Sequence, residues 1–230
     1  MEKDNNERSN AIIHKNSSIN RLDLSFMKHI DMEEYKKSEL LAYWIYDFAV
    51  YHDEEKNFDT TRIRTFKRGD IIKANLGFNI GSELGGLHYC IVLDKFDNPK
   101  NASINVIPLT SRKKNKKYGN MAVNLGKELY SILNKNLEKE NKKFDILLKK
   151  LDYIEDIPEN IQKIIEEEKK YINKMNNEIN KMKQDSMALI NQITTISKQR
   201  LFDDRILRKV HLSNSSLDLI DIQLIKFFTK

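Results

Sequence analysis

The sequence predicts an α+β chain in which a small curved barrel, or a strongly bent sheet, is split by a long helical hairpin and preceded by a helix. Three observations predict it. Short β-rich runs separated by turn residues occupy 69–125, and strand signals resume at Met187. Between these stretches apolar residues recur alternately three and four positions apart, from Tyr130 to Met182. Near the N-terminus, Leu40, Leu41, Trp44, Ile45 and Phe48 form an apolar face at helical spacing.

In chain order, the first twenty residues are rich in Asn, Ser and charge and read as disordered or loosely attached. Asp31 is expected to cap a helix running to about Tyr51, with Glu33 and Glu34 in the first turn, where the macrodipole favours them. That helix carries the sole tryptophan, on a face suited to packing against the barrel or a second subunit. Strands are expected over 69–75, 88–94, 103–109 and 120–125, with a turn at Asp97-Asn98-Pro99-Lys100.

The middle of the chain differs in kind. Tyr130, Leu133, Leu137, Glu140, Phe144, Leu147, Leu151 and Ile154 form one heptad seam. Ile161, Ile165, Glu168, Ile172, Met175, Ile179 and Met182 form a second. Asp156-Ile157-Pro158-Glu159 breaks the pattern, because proline starts a helix but is not tolerated inside one. Two antiparallel coiled-coil helices follow, each about 27 residues and roughly 40 Å long. They form an insertion between two strands, at 127–185, flanked by barrel segments 61–126 and 186–230 and preceded by an N-terminal segment 1–60. Seams of this kind imply that the arms bury their apolar surface mainly on each other, so the barrel should survive their removal. Glu140 and Glu168 read as solvated, or as paired with a neighbouring lysine.

Charge is unevenly distributed. Residues 1–60 hold 8 Lys/Arg against 13 Asp/Glu, residues 61–126 hold 12 against 4, the hairpin 13 against 13, and residues 186–230 hold 7 against 4. All the positive excess therefore lies in the barrel segments, which suits a phosphate-bearing partner. The run Arg112-Lys113-Lys114-Asn115-Lys116-Lys117 reads as a mobile basic loop beside a cleft. The acidic N-terminal segment fits either a cover for that cleft or a dimer element. Cys90 is the single cysteine and reads as a small buried hydrophobe, so no internal disulfide forms. No stretch is apolar enough for a signal peptide or a membrane span, and the cytoplasm is the expected location.

Arg68-Gly69-Asp70-Ile71-Ile72, then Gly81-Ser82-Glu83-Leu84-Gly85-Gly86-Leu87-His88, then Tyr89-Cys90-Ile91-Val92-Leu93 reads as strand, glycine-punctuated loop, strand. Rigid strands that feed a polar loop are a common way to build a site, and His88 stands where the loop would present it. At these residues the chain resembles the MazF/PemK family of toxin endoribonucleases. Val106-Ile107-Pro108-Leu109-Thr110-Ser111 is similar to the strand that ends in that family's catalytic threonine. Leu189 to Leu201, with Thr195-Ile196-Ser197-Lys198-Gln199-Arg200-Leu201, is similar to its distal strand. The resemblance covers residues 66–126 and 186–228.

The resemblance implies an SH3-like barrel with a C-terminal helix, here following Ser213–Ser216 and covering Leu217 to Phe228. It also implies a homodimer held by a cognate antitoxin, and cleavage of single-stranded RNA, most naturally mRNA, with neither metal nor cofactor. The 2′-hydroxyl of the ribose is the nucleophile in that chemistry, so the protein supplies a base, an acid and donors for the phosphorane's charge. By position the threonine is Thr110, with Ser111 able to share its hydrogen bonding. The family's usual arginine is absent: His88 stands in its place, and Tyr89 replaces the following proline. Arginine offers an always-charged fork for phosphate, whereas histidine exchanges a proton near neutrality. The substitution retunes the mechanism, with Arg68, Lys73 or Arg112 as sources of the lost charge. Ser82 and Glu83 match the loop that closes over substrate, Gln192 matches a glutamine beside the RNA, and Lys198 and Arg200 either meet phosphates or cap the barrel. The alternative is a catalytically inactive member that binds RNA or a partner protein through its hairpin.

Overall fold

A computed structural model describes residues 2–151, 153–154, 157–182, 184–202 and 205–229. The chain forms two compact units, Met1–Phe58 and Asp59–Lys230. The first is a pair of helices, α1 (Glu2–Asp31) and α2 (Tyr35–Glu54), packed together across a tight turn. Two expectations are corrected here. The first twenty residues are helical from Glu2 onward, and Asp31 ends α1 instead of capping α2, whose N-cap is Glu34. The first sixty residues contain no glycine or proline, so nothing breaks the helix until the turn. Glu33 makes that turn in the left-handed region at φ 59°, and His29 Nδ1 lies 2.7 Å from Glu34 Oε2 across it. In α2, Trp44 packs near Phe48 and Tyr51, with ring centroids 6.0 and 6.4 Å away.

The second unit is built on a seven-stranded antiparallel sheet: β1 (Ile71–Asn75), β2 (Leu87–Val92), β3 (Ser103–Ser111), β4 (Ala122–Asn124), β5 (Ser186–Leu189), β6 (Thr194–Ser197) and β7 (Leu201–Phe202). The strand order is β4-β5-β3-β2-β1-β7, with β6 also paired to β3. The nine residues of β3 serve two ladders. Ser103–Val106 pair with β6 while Leu109–Ser111 pair with β5. A strand shared in this way must bend, and the sheet bends with it. The path does not close: among the described residues no ladder joins β4 to β7, in contrast to the expected barrel. These end strands have three and two residues, too few to carry pairing around the remaining gap.

Side chains alternate across the pleat. Ile71, Ile91, Ile107 and Leu109 enter one buried core, and Ile72, Ala74, Cys90, Val92, Val106 and Ile196 enter another. Lys198 lies buried beside the second core, its ammonium held by both Asp97 oxygens at 2.7 and 2.9 Å. It therefore caps the sheet and is closed to phosphate. Burial pushes the Cys90 thiol up to about 12, which leaves it an inert hydrophobe.

Helices α3 (Glu128–Leu151) and α4 (Glu159–Asn180) leave and re-enter the sheet between β4 and β5, which pair with each other. At 24 and 22 residues they span about 36 and 33 Å, a little less than expected. Pro158 occupies the N-cap of α4, while Asp156 of the expected break lies outside the described residues. The arms do not bury their seams only on each other. Leu129, Leu133, Leu137, Met175 and Ile179 belong to the same core as Ile71, Ile91 and Ile107, so the sheet-proximal half of the hairpin completes the sheet's hydrophobic layer. The distal half is wetter: Ile146, Leu147 and Ile164 are exposed. Glu140 pairs with Lys143 at 2.7 Å, whereas Glu168 pairs with Arg205, beyond the hairpin. The chain closes with α5 (Asn214–Phe228), capped by the Ser213 hydroxyl, which accepts from the Ser216 amide at 3.3 Å.

Candidate active site

The β2–β3 ladder stops at Cys90 opposite Pro108, because the next residues of β3 turn to pair with β5. The strands part at that point, and the Leu109 carbonyl receives the His88 ring: Nδ1 lies 2.9 Å from Leu109 O. A carbonyl only accepts, so Nδ1 carries the proton and the neutral ring keeps its lone pair on Nε2. Half-buried, His88 lines a cavity of about 270 Å³ together with Thr110, Ser111, Arg112, Lys113 and Tyr89. The base of the hairpin, through Leu129 and Met182, closes the apolar side. Thr110 pairs with Met187 in β5, so a regular ladder fixes its position. Ser111 and Arg112 follow at the strand end, where the Arg112 guanidinium lies 3.5 Å from Asp185 and stays largely in solvent. The basic run after it is a turn in which Lys116 lies over the Tyr118 ring.

The β1–β2 loop is a built structure. Gly86 N donates to Gly77 O at 2.6 Å, and Asn79 Nδ2 donates to Leu84 O at 2.8 Å. A Cβ on Gly85 would lie 2.5 Å from the Gly77 carbonyl, so that position admits only glycine without movement. Glu83 accepts from the Ile80 amide within its own loop, at 3.3 Å. Gln192, just before β6, accepts from Leu84 N at 3.0 Å and donates to Ser82 O at 3.4 Å, tying the loop down. Glu83, Gln192, Asn79, Asn191 and Arg200 line a second cavity of about 410 Å³ with Pro108, two residues before Thr110 on β3.

Of the residues singled out in the sequence, His88, Thr110, Ser111 and Arg112 thus meet in one cavity, while Ser82, Glu83 and Gln192 meet beside a neighbouring one. Arg68 and Lys73 join neither. Arg68 donates to Leu93 O at 2.8 Å and pairs with Asp221 of α5. The left-handed turn at Gly69 (φ 90°) follows it, and the pair links this turn to the helix. Lys73 donates to Glu178 Oε1 at 2.6 Å, and Tyr89 Oη donates to the same oxygen at 2.5 Å. Burial pushes the Glu178 carboxyl up, but these two donors and the charges of Lys73 and Lys174 outweigh it and hold the carboxyl below its ordinary value. Asn79 and Asn191 carried no signal in the sequence, and only the fold carries them to a cavity wall. Among the described residues no group of three His, Cys, Asp or Glu side chains could hold a metal ion, and no helix is long and apolar enough to cross a membrane.

A bent antiparallel sheet with helices packed on it, and with a cleft at the end of its third strand, defines an α+β protein. A family model described as PemK-like, MazF-like toxin of type II toxin-antitoxin system matches residues 67–182. That span is half of the chain, and the chain belongs to this family. The matched range holds β1 to β4 and both hairpin helices and stops before β5, so Gln192 lies beyond it. No curated protein matches the chain.

Proposed function

We propose that this toxin-family member is an endoribonuclease that cleaves single-stranded RNA, mRNA above all, by attack of the 2′-hydroxyl on the adjacent phosphorus. The observation that carries the reading is the shared cavity of His88, Thr110 and Ser111, with the imidazole anchored through Nδ1. In this scheme His88 Nε2 takes the 2′-hydroxyl proton as the 2′-oxygen bonds to phosphorus. The Thr110 and Ser111 hydroxyls donate to the non-bridging oxygens, and Arg112 faces the charge that gathers there. The bond from phosphorus to the 5′-oxygen breaks, and that oxygen takes a proton from water. The products are a 2′,3′-cyclic phosphate and a 5′-hydroxyl. Single-stranded RNA fits because its splayed bases can enter shallow clefts that a duplex cannot.

The finer architecture belongs to the same proposal. The division of β3 between two ladders supports an open, SH3-like arrangement formed by 61–126 and 186–230, with 127–185 a coiled-coil hairpin and 1–60 an accessory segment. The family supports a homodimer in the cytoplasm, restrained by a cognate antitoxin. The test is to incubate purified protein with a mixed RNA pool in EDTA and to map the cut ends. Cleavage that persists and leaves a cyclic phosphate and a 5′-hydroxyl is expected. Cleavage that stops on chelation and returns with Mg²⁺ overturns the mechanism, and no cleavage in either condition favours the inactive, partner-binding reading.

A further inference from the structure

The hairpin creates a second groove that the bent sheet alone would not have. It holds about 740 Å³, within the range of small-ligand sites, between α4 and the edge formed by β1 and β7. Its floor is aromatic and apolar: Tyr171 and Met175 of α4, Phe202 of β7 and Leu87 of β2. Lys73, Lys174, Arg205 and Arg208 also line it. Four cations thus face three carboxylates, Glu167, Glu168 and Glu178; Lys73 neutralises Glu178 at 2.6 Å and Arg205 neutralises Glu168. The Arg205 guanidinium stacks on the Tyr171 ring, 3.9 Å from its centroid. Phe202 and Leu87 remain nearly half exposed, at 46% and 47%, beside the basic side chains of the same groove. Leu87 also lines the His88 cavity, so the two spaces adjoin.

Exposed rings inside a cationic channel are how proteins hold single-stranded nucleic acid without reading its sequence in full. We infer that this groove is a nucleotide subsite, in which RNA running from the His88 cavity stacks a flanking base on Phe202 and passes its backbone along Lys174 and Arg208. The inference rests on the ribonuclease reading and assigns the hairpin a role in it: α4 lengthens the RNA-binding track.

The test uses 2′-O-methylated oligouridines, which resist cleavage, of about four and about twelve nucleotides, a span typical of single-strand channels. Affinity is read by fluorescence anisotropy on the full chain. The wild type should bind the longer probe more tightly. Phe202→Ala should cut that gain roughly tenfold, and Lys174→Glu, which reverses the charge of an exposed residue of this groove, should also reduce it and flatten the salt dependence by about one counterion. Phe96→Ala, at a ring that is 90% exposed and outside the groove, serves as the control and should change nothing. An undiminished gain in both variants overturns the inference alone and leaves the groove to a protein partner. An effect of Phe202→Ala without one of Lys174→Glu also overturns it, because Phe202 touches a second cavity beside Arg62 and Arg64. If the wild type binds neither probe, the ribonuclease reading falls with it.

Discussion

Position 88 shows how one side chain draws its chemistry from its surroundings. Where β2 and β3 part, the His88 ring reaches the Leu109 carbonyl and donates to it through Nδ1. The other nitrogen is thereby assigned to the cavity. His88→Ala should lower the cleavage rate roughly 10²–10⁴-fold, the usual worth of a positioned acid or base. RNA affinity should barely move, since most of it comes from distributed phosphate contacts. Rate and affinity measured separately on the purified variant check this, and an Ala variant that cuts at the wild-type rate removes His88 from the mechanism. His88→Arg restores the residue usual in the family, and any recovery it gives would show that charge matters more than proton transfer. The sequence singled out His88, Thr110, Ser111 and Arg112 from two strand ends, and the fold lines one cavity with them. Arg68 and Lys73 lie outside that cavity. Both precede or lie in β1, but their charges are taken up by Asp221 and Glu178, 153 and 105 residues away.

Among the elements, the hairpin departs furthest from its periodicity. A heptad seam records that a face is apolar and is silent on what covers it. Here the sheet covers the proximal half, so removing the whole hairpin should expose Ile71, Ile91 and Ile107 and unfold the second unit. Each such side chain loses roughly 1.5–3 kcal/mol of burial. A shorter excision, from Asn141 to Ile165 with a glycine-containing turn in its place, should keep the fold. Circular dichroism and thermal melts of the two variants decide it, and a cooperative melt from the full deletion would contradict the shared core. The tie between α4 and the sheet is also pH-dependent. Glu178 has its carboxyl lowered in the fold, so it adds stability at pH above its unfolded value and loses it as the pH falls through the lower folded value. Glu178→Gln should therefore destabilise the protein at neutral pH, and the gap from wild type should close in acid below the ordinary carboxylate range. Denaturant midpoints measured across pH test the sign, and a gap that widens in acid would refute it.

For the molecule as a whole, the two units differ in composition. The first carries the acidic excess and the second the basic one. A chain of 59–230 should fold alone, because its cores draw only on residues within that range. It should bind RNA with a steep inverse dependence on salt. Limited proteolysis and a salt titration check the two parts, and aggregation of the shorter chain would show that the first unit contributes to its core.

Taken alone, the sequence determined the α+β class, the family, the order of strands β1 to β3, the glycine-built loop and the existence of two long helices between strands. Each of these rests on local information: alternation, heptad spacing, glycine and proline, and a motif held within a few dozen residues. The tertiary structure alone decided the rest. The N-terminal stretch is helical despite its polar composition, since nothing breaks it and α2 packs against it. The sheet bends without closing, because closure depends on the lengths of its two end strands. Lys198 is a buried cap, and Lys73 anchors the hairpin, because the partner of a charge is chosen by the fold across more than a hundred residues, where no spacing rule reaches.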